Sequence, residues 1–232
     1  MFQPMRVRCR LADGCWVSTD GLLPLDSLLA AEWMRRNHPE QYYSDGAKDT
    51  LIEPQLPLAE AQMGGVSIWT ASVAQYRLYG EFTYYWHKRF DERLAGMMLD
   101  KPKRVNTGSG EFKGYRMPVN VLMVSDLTWF AVGDLNAVRV LLMGIRALGK
   151  KRAYGFGSVV LDNCGEPCWT VEPWPEDWSI RGPGGRLMRP VPWDGQSSGT
   201  VRRWGVRPPC WLPANQVVAE IPKVGDWVDL AQ

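Results

Sequence analysis

The segment Gly149-Lys150-Lys151-Arg152-Ala153-Tyr154-Gly155-Phe156-Gly157 places the tightest constraint on the fold. It sets three consecutive cations, three glycines and two aromatics directly after an apolar helical pattern and before a strand pattern. Such a segment joins a helix to a strand through a loop with a bare backbone. Glycine lets the chain approach a phosphate with no side chain in the way, and neighbouring N–H groups can point at the anion. Lysine and arginine add a sequence-independent attraction to phosphate. Tyr154 and Phe156 offer flat faces on which unpaired bases stack, at about 1–3 kcal/mol per base. A P-loop needs four residues between its glycines and then Lys-Ser or Lys-Thr, whereas here the cations precede the glycine pair, so an NTPase is not expected. A plainer reading makes Gly149 a left-handed helix cap, with Lys150 and Lys151 balancing the helix dipole. It leaves Gly155 and Gly157 unexplained, because two glycines around an aromatic at the head of a strand ask for a close neighbour, either backbone or ligand.

Upstream, residues 5–11 alternate strictly. Met5, Val7, Cys9 and Leu11 fall on one face and Arg6, Arg8 and Arg10 on the other, which predicts a strand with a buried side and a basic side, the latter either solvated or lining an RNA path. Leu25, Leu28, Leu29 and Trp33 recur at helical spacing within 24–36. Residues 37–65 are polar with scattered prolines and read as an insertion. Residues 66–73 and 81–90 look extended. In the second, Phe82, Tyr84 and Trp86 share one face and Thr83, Tyr85 and His87 the other, so contact is expected on both sides. Residues 101–116 carry turn chemistry between cations and predict a protruding basic hairpin or arm. Strands follow at 115–124 and 128–132. Asp134 then caps a helix bearing Leu135, Val138, Leu142, Ile145 and Leu148 and ending at Gly149. Further strands are expected at 159–163 and 169–171.

This order, β-α-β then β-α-β with the glycine-rich loop before the last strand, predicts an α+β fold: a ferredoxin-like or RRM-like domain over 1–172 with insertions at about 37–65 and 91–116. An irregular Pro/Gly/Trp/Arg-rich C-terminal extension, 173–232, packs on that domain. Its tryptophans are expected to anchor it, and Arg181, Arg186, Arg189, Arg202, Arg203 and Arg207 are placed to extend a basic face.

A net charge of +2 over 232 residues conceals an uneven distribution. Residues 1–60 carry six cations against nine carboxylates, residues 86–116 eight against four, and residues 146–152 four against none. A local basic face on a nearly neutral protein suits one polyanion together with protein neighbours. The five cysteines are odd in number and accompany no secretory pattern, so reduced thiols are expected. With Cys164 and Cys168 near one another, the other cysteines distant, and His38 and His87 the only histidines, no metal or other cofactor is expected. No apolar run approaches the roughly 20 residues of a membrane span, which predicts a cytoplasmic protein without membrane contact.

Residues 22–30, Leu-Leu-Pro-Leu-Asp-Ser-Leu-Leu-Ala, follow the basic first strand, and residues 145–157 close with the glycine-rich loop. Together with Val159 and the stretch from Val171-Glu172 to Asp177-Trp178-Ser179, they resemble the RAMP superfamily of CRISPR proteins, most of all the Cas-five-type subunit of type IV effector complexes. The resemblance covers roughly residues 5–179. It implies a non-catalytic subunit that binds the 5′ handle of the CRISPR RNA and caps a filament of Cas-seven-type backbone subunits. Such a subunit sits beside a large Cas-eight-like subunit and meets target DNA through the complex. Carried over, Lys150, Lys151, Arg152, Tyr154, Gly155, Phe156 and Gly157 hold the handle. Position and chemistry alone assign Lys101, Lys103, Arg104, Lys113, Tyr115 and Arg116 to the arm, with His87, Lys88 and Arg89 as further RNA contacts. Splayed single-stranded RNA is what such stacking and phosphate contacts suit.

The alternative is a Cas-six-like endoribonuclease that processes the precursor RNA. Its one candidate cluster is His87 with Tyr84, Tyr85, Lys88 and Arg89, for proton transfer at the scissile phosphate. Histidine on an aromatic strand is more often a packing or RNA-contacting residue, so binding without cleavage is expected. A general RNA-processing factor is a third class, but no segment carries the RRM signature.

Overall fold

The computed structural model describes residues 1–43, 52–91, 106–110, 112–197 and 199–227. Its centre is an antiparallel sheet in which strand β1 (Gln3–Arg10) lies between β7 (Asp126–Gly133) and β8 (Trp169–Pro173). The predicted alternation sets the packing. Val7 is opposite Trp129 and Val171, Cys9 opposite Leu127 and Trp169, and all of these side chains are buried on one face. Helix α1 (Leu25–Asn37) and helix α3 (Leu135–Leu142) supply Leu25, Leu29, Val138 and Leu142 to the same core.

Residues 70–76 run along the outer edge of β7, with Ala71 opposite Ala131 and Gln75 opposite Thr128. Four residues advance on this edge while three advance on β7, so the strand bulges, and the Ser72 hydroxyl oxygen accepts the Phe130 N–H at the bulge. The chain order β1, α1, edge segment, β7, α3, β8 and the spatial order β8-β1-β7-edge are those of a ferredoxin-like α+β fold.

Insertions decorate this frame. A short helix α2 (Pro39–Tyr43) follows α1, and a hairpin of β3 (Glu60–Met63) and β4 (Val66–Trp69) precedes the edge segment. Between the edge segment and β7, the chain forms β5 (Gly80–Lys88) and β6 (Tyr115–Met123), paired in register from Gly80–Met123 to Lys88–Tyr115. Strand β2 (Cys15–Val17) adds to the free edge of β6. The two strands were expected near 81–90 and 115–124; of the predicted arm at 101–116, Tyr115 and Arg116 begin β6, while 101–105 and Glu111 lie outside the described residues.

The second face of the central sheet carries the arginines, and its partner is the C-terminal extension. Arg6 is buried, with its guanidinium 4.2 Å from the Trp174 ring centroid and its Nε donating to Glu172 at 2.7 Å. Trp174, Trp178 and Trp227 surround Phe130, so tryptophans anchor the extension. Irregular over most of its length, the extension also forms a sheet of β9 (Val191–Pro192), β10 (Thr200–Gly205) and β11 (Gln216–Ile221), packed through Val206 and Ala219 onto Ile68.

Several extension arginines are staples within the protein, contrary to the expected basic face. Arg189 is buried, donates to the carbonyls of Trp69, Ala71 and Val206, and pairs with buried Asp26 at 3.3 Å. Burial pushes the Asp26 carboxyl up, against the opposing pull of Arg189. Arg207 pairs with Glu60, Arg186 with Asp226 and Arg202 with Asp20. Arg181 and Arg203 are exposed.

Helix α3 starts where expected, with the Asp134 carboxylate accepting the Ala137 N–H at 3.0 Å, but it ends at Leu142 and not at Gly149. Past Gly144, which packs where any side chain would run into the Glu32 carboxylate held by Arg35 and Arg36, residues 146–148 instead pair with the chain leaving the loop, Ala147 opposite Ser158 and the Val159 N–H donating to the Arg146 carbonyl. Ile145 and Leu148 still enter the core, from extended chain. No helix among the described residues is long and apolar enough to cross a membrane.

Candidate nucleic-acid interface

The glycine-rich loop leaves and rejoins the fold through one neck. The Leu148 N–H donates to the Gly157 carbonyl, the Gly157 N–H to Cys15 and the Lys150 N–H to Val17, so both ends of the loop are tied to each other and to β2. Gly149 and Gly157 have positive φ angles of 74° and 73°. A Cβ on Gly149 would stand 2.6 Å from the Val17 carbonyl oxygen, and one on Gly157 would strike the Leu148 carbonyl. Close backbone approach therefore accounts for these two glycines. Gly155 differs: its φ of 91° requires glycine, yet a Cβ there would meet only open space. Cys15, at the neck, is a neutral thiol near pH 7, since burial and then its bond to Asp13 push it up to about 11.

Between the necks, Lys151 takes the left-handed conformation with φ 58°, the one non-glycine residue to do so among the described residues. Such a conformation costs roughly 1–3 kcal/mol and persists only where surrounding contacts enforce it. Its enforcement comes from the hairpin. The Lys151 ammonium lies 3.4 Å from the Trp86 ring centroid. Arg152–Tyr154 then form one 3-10 turn, and the Trp86 indole N–H donates to the Tyr154 hydroxyl. Phe156 meets Tyr84 edge to face at 5.3 Å, and Tyr115 meets Trp86 at 5.2 Å.

The loop and the β5–β6 hairpin, separate features in the sequence, thus form one surface. In the β5–β6 register, Tyr84, Trp86 and Lys88 share a face with Tyr115, and this face receives the loop. Around the aromatic saddle stand Lys88, Lys150, Lys151 and Arg152. Arg152 and Tyr154 are exposed, the latter by 52%, and the Lys150 ammonium is steered by the Thr19 hydroxyl at 2.6 Å. Trp86 was not among the candidates read from the sequence, and Tyr84 was read there only beside His87. The alternation of β5 had put them on one face, but nothing local says that a loop 65 residues onward docks there.

The remaining candidates divide. His87 and Arg116 are opposite one another on the other face of the hairpin, where Arg116 covers Tyr85 at 3.7 Å. Tyr84 and Lys88, read beside His87 as one cluster, therefore face away from it. Arg89 and Lys113 are exposed near the arm, and Lys101, Lys103 and Arg104 lie outside the described residues. The described arrangement presents cations, exposed ring faces and an open glycine backbone on one side, which suits a single strand whose phosphates and bases are both accessible.

The family model of the CRISPR type IV associated protein Csf3 matches residues 85–222, more than half of the chain. The match begins within β5, takes in the glycine-rich loop and runs through β11, beyond the 5–179 span of the sequence resemblance. No curated protein matches the chain.

Proposed function

This chain belongs to the family of the CRISPR type IV associated protein Csf3, and from that premise we propose that it is the subunit of a type IV CRISPR complex that holds the 5′ handle of the CRISPR RNA. The observation that carries the reading is the docking of the glycine-rich loop on the aromatic face of the hairpin, with Lys151 over Trp86. The handle runs as a single strand across this saddle. Lys150, Lys151, Arg152 and Lys88 take phosphates, Tyr154 stacks with a base, and the open Cα of Gly155 lets the strand lie against the backbone. Lys101, Lys103, Arg104, Lys113, Tyr115 and Arg116 are assigned to the arm as further RNA contacts by position and chemistry, the first three lying outside the described residues. His87 and Arg89 extend the contact along the hairpin.

By the same reading, the subunit caps one end of a filament of Cas-seven-type backbone subunits, adjoins a large Cas-eight-like subunit and contributes to target DNA recognition through the assembly. It binds without cutting. In support, Tyr84 and Lys88 face the other side of the hairpin from His87, so the cluster read for proton transfer is not assembled. The test is incubation with labelled repeat RNA and with mature handle RNA, scored for binding and for cleavage. Handle binding without a cut is the expected result, and a specific cut lost in His87→Ala would make the protein the processing nuclease instead.

A further inference from the structure

The described residues of the extension cover one end of the second sheet face. Beyond Trp227 that face opens into a cleft of about 530 Å³, whose lining includes Arg8, Arg10 and Arg77 against the single carboxylate of Asp126. Arg8 is held partly by Glu172 at 3.6 Å. Arg10 and Arg77 are exposed, and neither pairs with a carboxylate within 4 Å among the described residues. Arg77 lies 5.5 Å from the ring centroid of Tyr79, which is 62% exposed. At the base of the cleft sits Gln75, fully buried. Its amide N–H donates to the Val73 carbonyl at 3.1 Å, which fixes the orientation of the amide and leaves the carbonyl oxygen without a partner.

We propose that this cleft is a second nucleic-acid site that takes one nucleotide of a single strand. Arg10 and Arg77 hold its phosphate and Tyr79 stacks on its base. The volume falls within the range of small-molecule sites, and a guanidinium beside an aromatic ring suits a phosphate adjoining a flat base. The chain leaving the glycine-rich loop pairs alongside, the Val160 N–H donating to the Arg10 carbonyl, so the cleft and the loop share a wall while presenting different cations.

The test uses the full chain with Lys150, Lys151 and Arg152 replaced by alanine, so that loop binding and cleft binding are read apart. Single-stranded RNA, single-stranded DNA of the same sequence, each carrying 5-iodouracil, and a nucleoside monophosphate are titrated against it and against the same chain with Arg10→Glu and Arg77→Glu added. Photocrosslinks are mapped by mass spectrometry. The expected result is residual binding that falls by at least about tenfold with the two added substitutions, and a crosslink at Tyr79 in the parent. The preferred arm identifies the source of the nucleotide. Equal affinity in the two proteins, or crosslinks confined to the loop and arm, overturns the proposal. In the chain with an intact loop, Arg10→Glu with Arg77→Glu leaves the Tyr154 crosslink in place, which separates loss of the cleft from loss of the fold.

Discussion

Lys151 holds its ammonium 3.4 Å from the centroid of the Trp86 indole, 65 residues away in sequence, and this contact joins the glycine-rich loop to the β5–β6 hairpin. A cation over an indole is worth about 0.5–2 kcal/mol, depending on how far it is desolvated. That is commensurate with the strain of a left-handed lysine, so loop shape and hairpin face depend on each other.

Trp86→Ala removes the cation–π contact, the partner of the Tyr154 hydroxyl and the edge contact with Tyr115. The loop is expected to loosen, with faster amide hydrogen exchange at 150–156, and handle affinity to fall by roughly tenfold, about 1.4 kcal/mol. Trp86→Phe keeps a ring but no N–H and should fall between. Unchanged exchange in Trp86→Ala would show that the loop keeps its shape without the hairpin.

The glycines separate fold from binding. Gly157→Ala puts a Cβ against the Leu148 carbonyl in the neck and forces an unfavourable φ, so it should lower the melting temperature more than Gly155→Ala. Gly155→Ala pays only local strain of roughly 1–2 kcal/mol in the free protein, and its larger effect is expected on RNA affinity. Thermal unfolding and RNA titration of the two variants check the contrast.

Removal of Arg189 strands the Asp26 carboxylate in the core and unties three backbone carbonyls. Arg189→Ala is expected to destabilise by about 3–5 kcal/mol, the usual cost of breaking a buried pair. Urea unfolding measures it. A loss below about 1 kcal/mol on the same scale would mean that the extension is held without this staple.

The acid limb of stability is set in part by Glu32 and Glu60. Burial pushes the Glu32 carboxyl up, but its bonds from Arg35 and Arg36 prevail and hold it below the ordinary range. Hydrogen bonds from Arg207, then Ser67, lower that of Glu60. A carboxylate depressed in the folded state contributes stability above its unfolded pKa of about 4.3, and this contribution is lost as pH falls from there through the folded value. Urea midpoints should therefore drop below about pH 4.3, and Glu32→Gln should flatten that drop while lowering the plateau at neutral pH.

Much of the frame was legible. The alternation of residues 5–11 depends only on the two-residue period of a strand, and it puts Val7 and Cys9 in the core. Asp134 announces α3 by local capping chemistry. The end of α3 was hidden, because Ile145 and Leu148 keep a helical spacing while residues 146–148 pair with residues 157–159, a contact across the loop that the spacing does not encode. Arginine is ordinarily a surface residue, and Arg6 and Arg189 are buried only because Trp174, Glu172 and Asp26 arrive from distant segments. The site was half legible for the same reason. The loop and the aromatic strand could each be read from their own chemistry, but their union at Trp86 is a long-range contact that no local pattern encodes.

The most direct measurement is the affinity of handle RNA between about 50 and 200 mM salt for the native chain and for the protein with Lys150, Lys151 and Arg152 replaced by alanine. The account predicts weaker binding and a slope of log K against log salt that is shallower by about 0.7 for each phosphate that the loop no longer neutralises. An unchanged affinity and slope would contradict it by removing the glycine-rich loop from the RNA path.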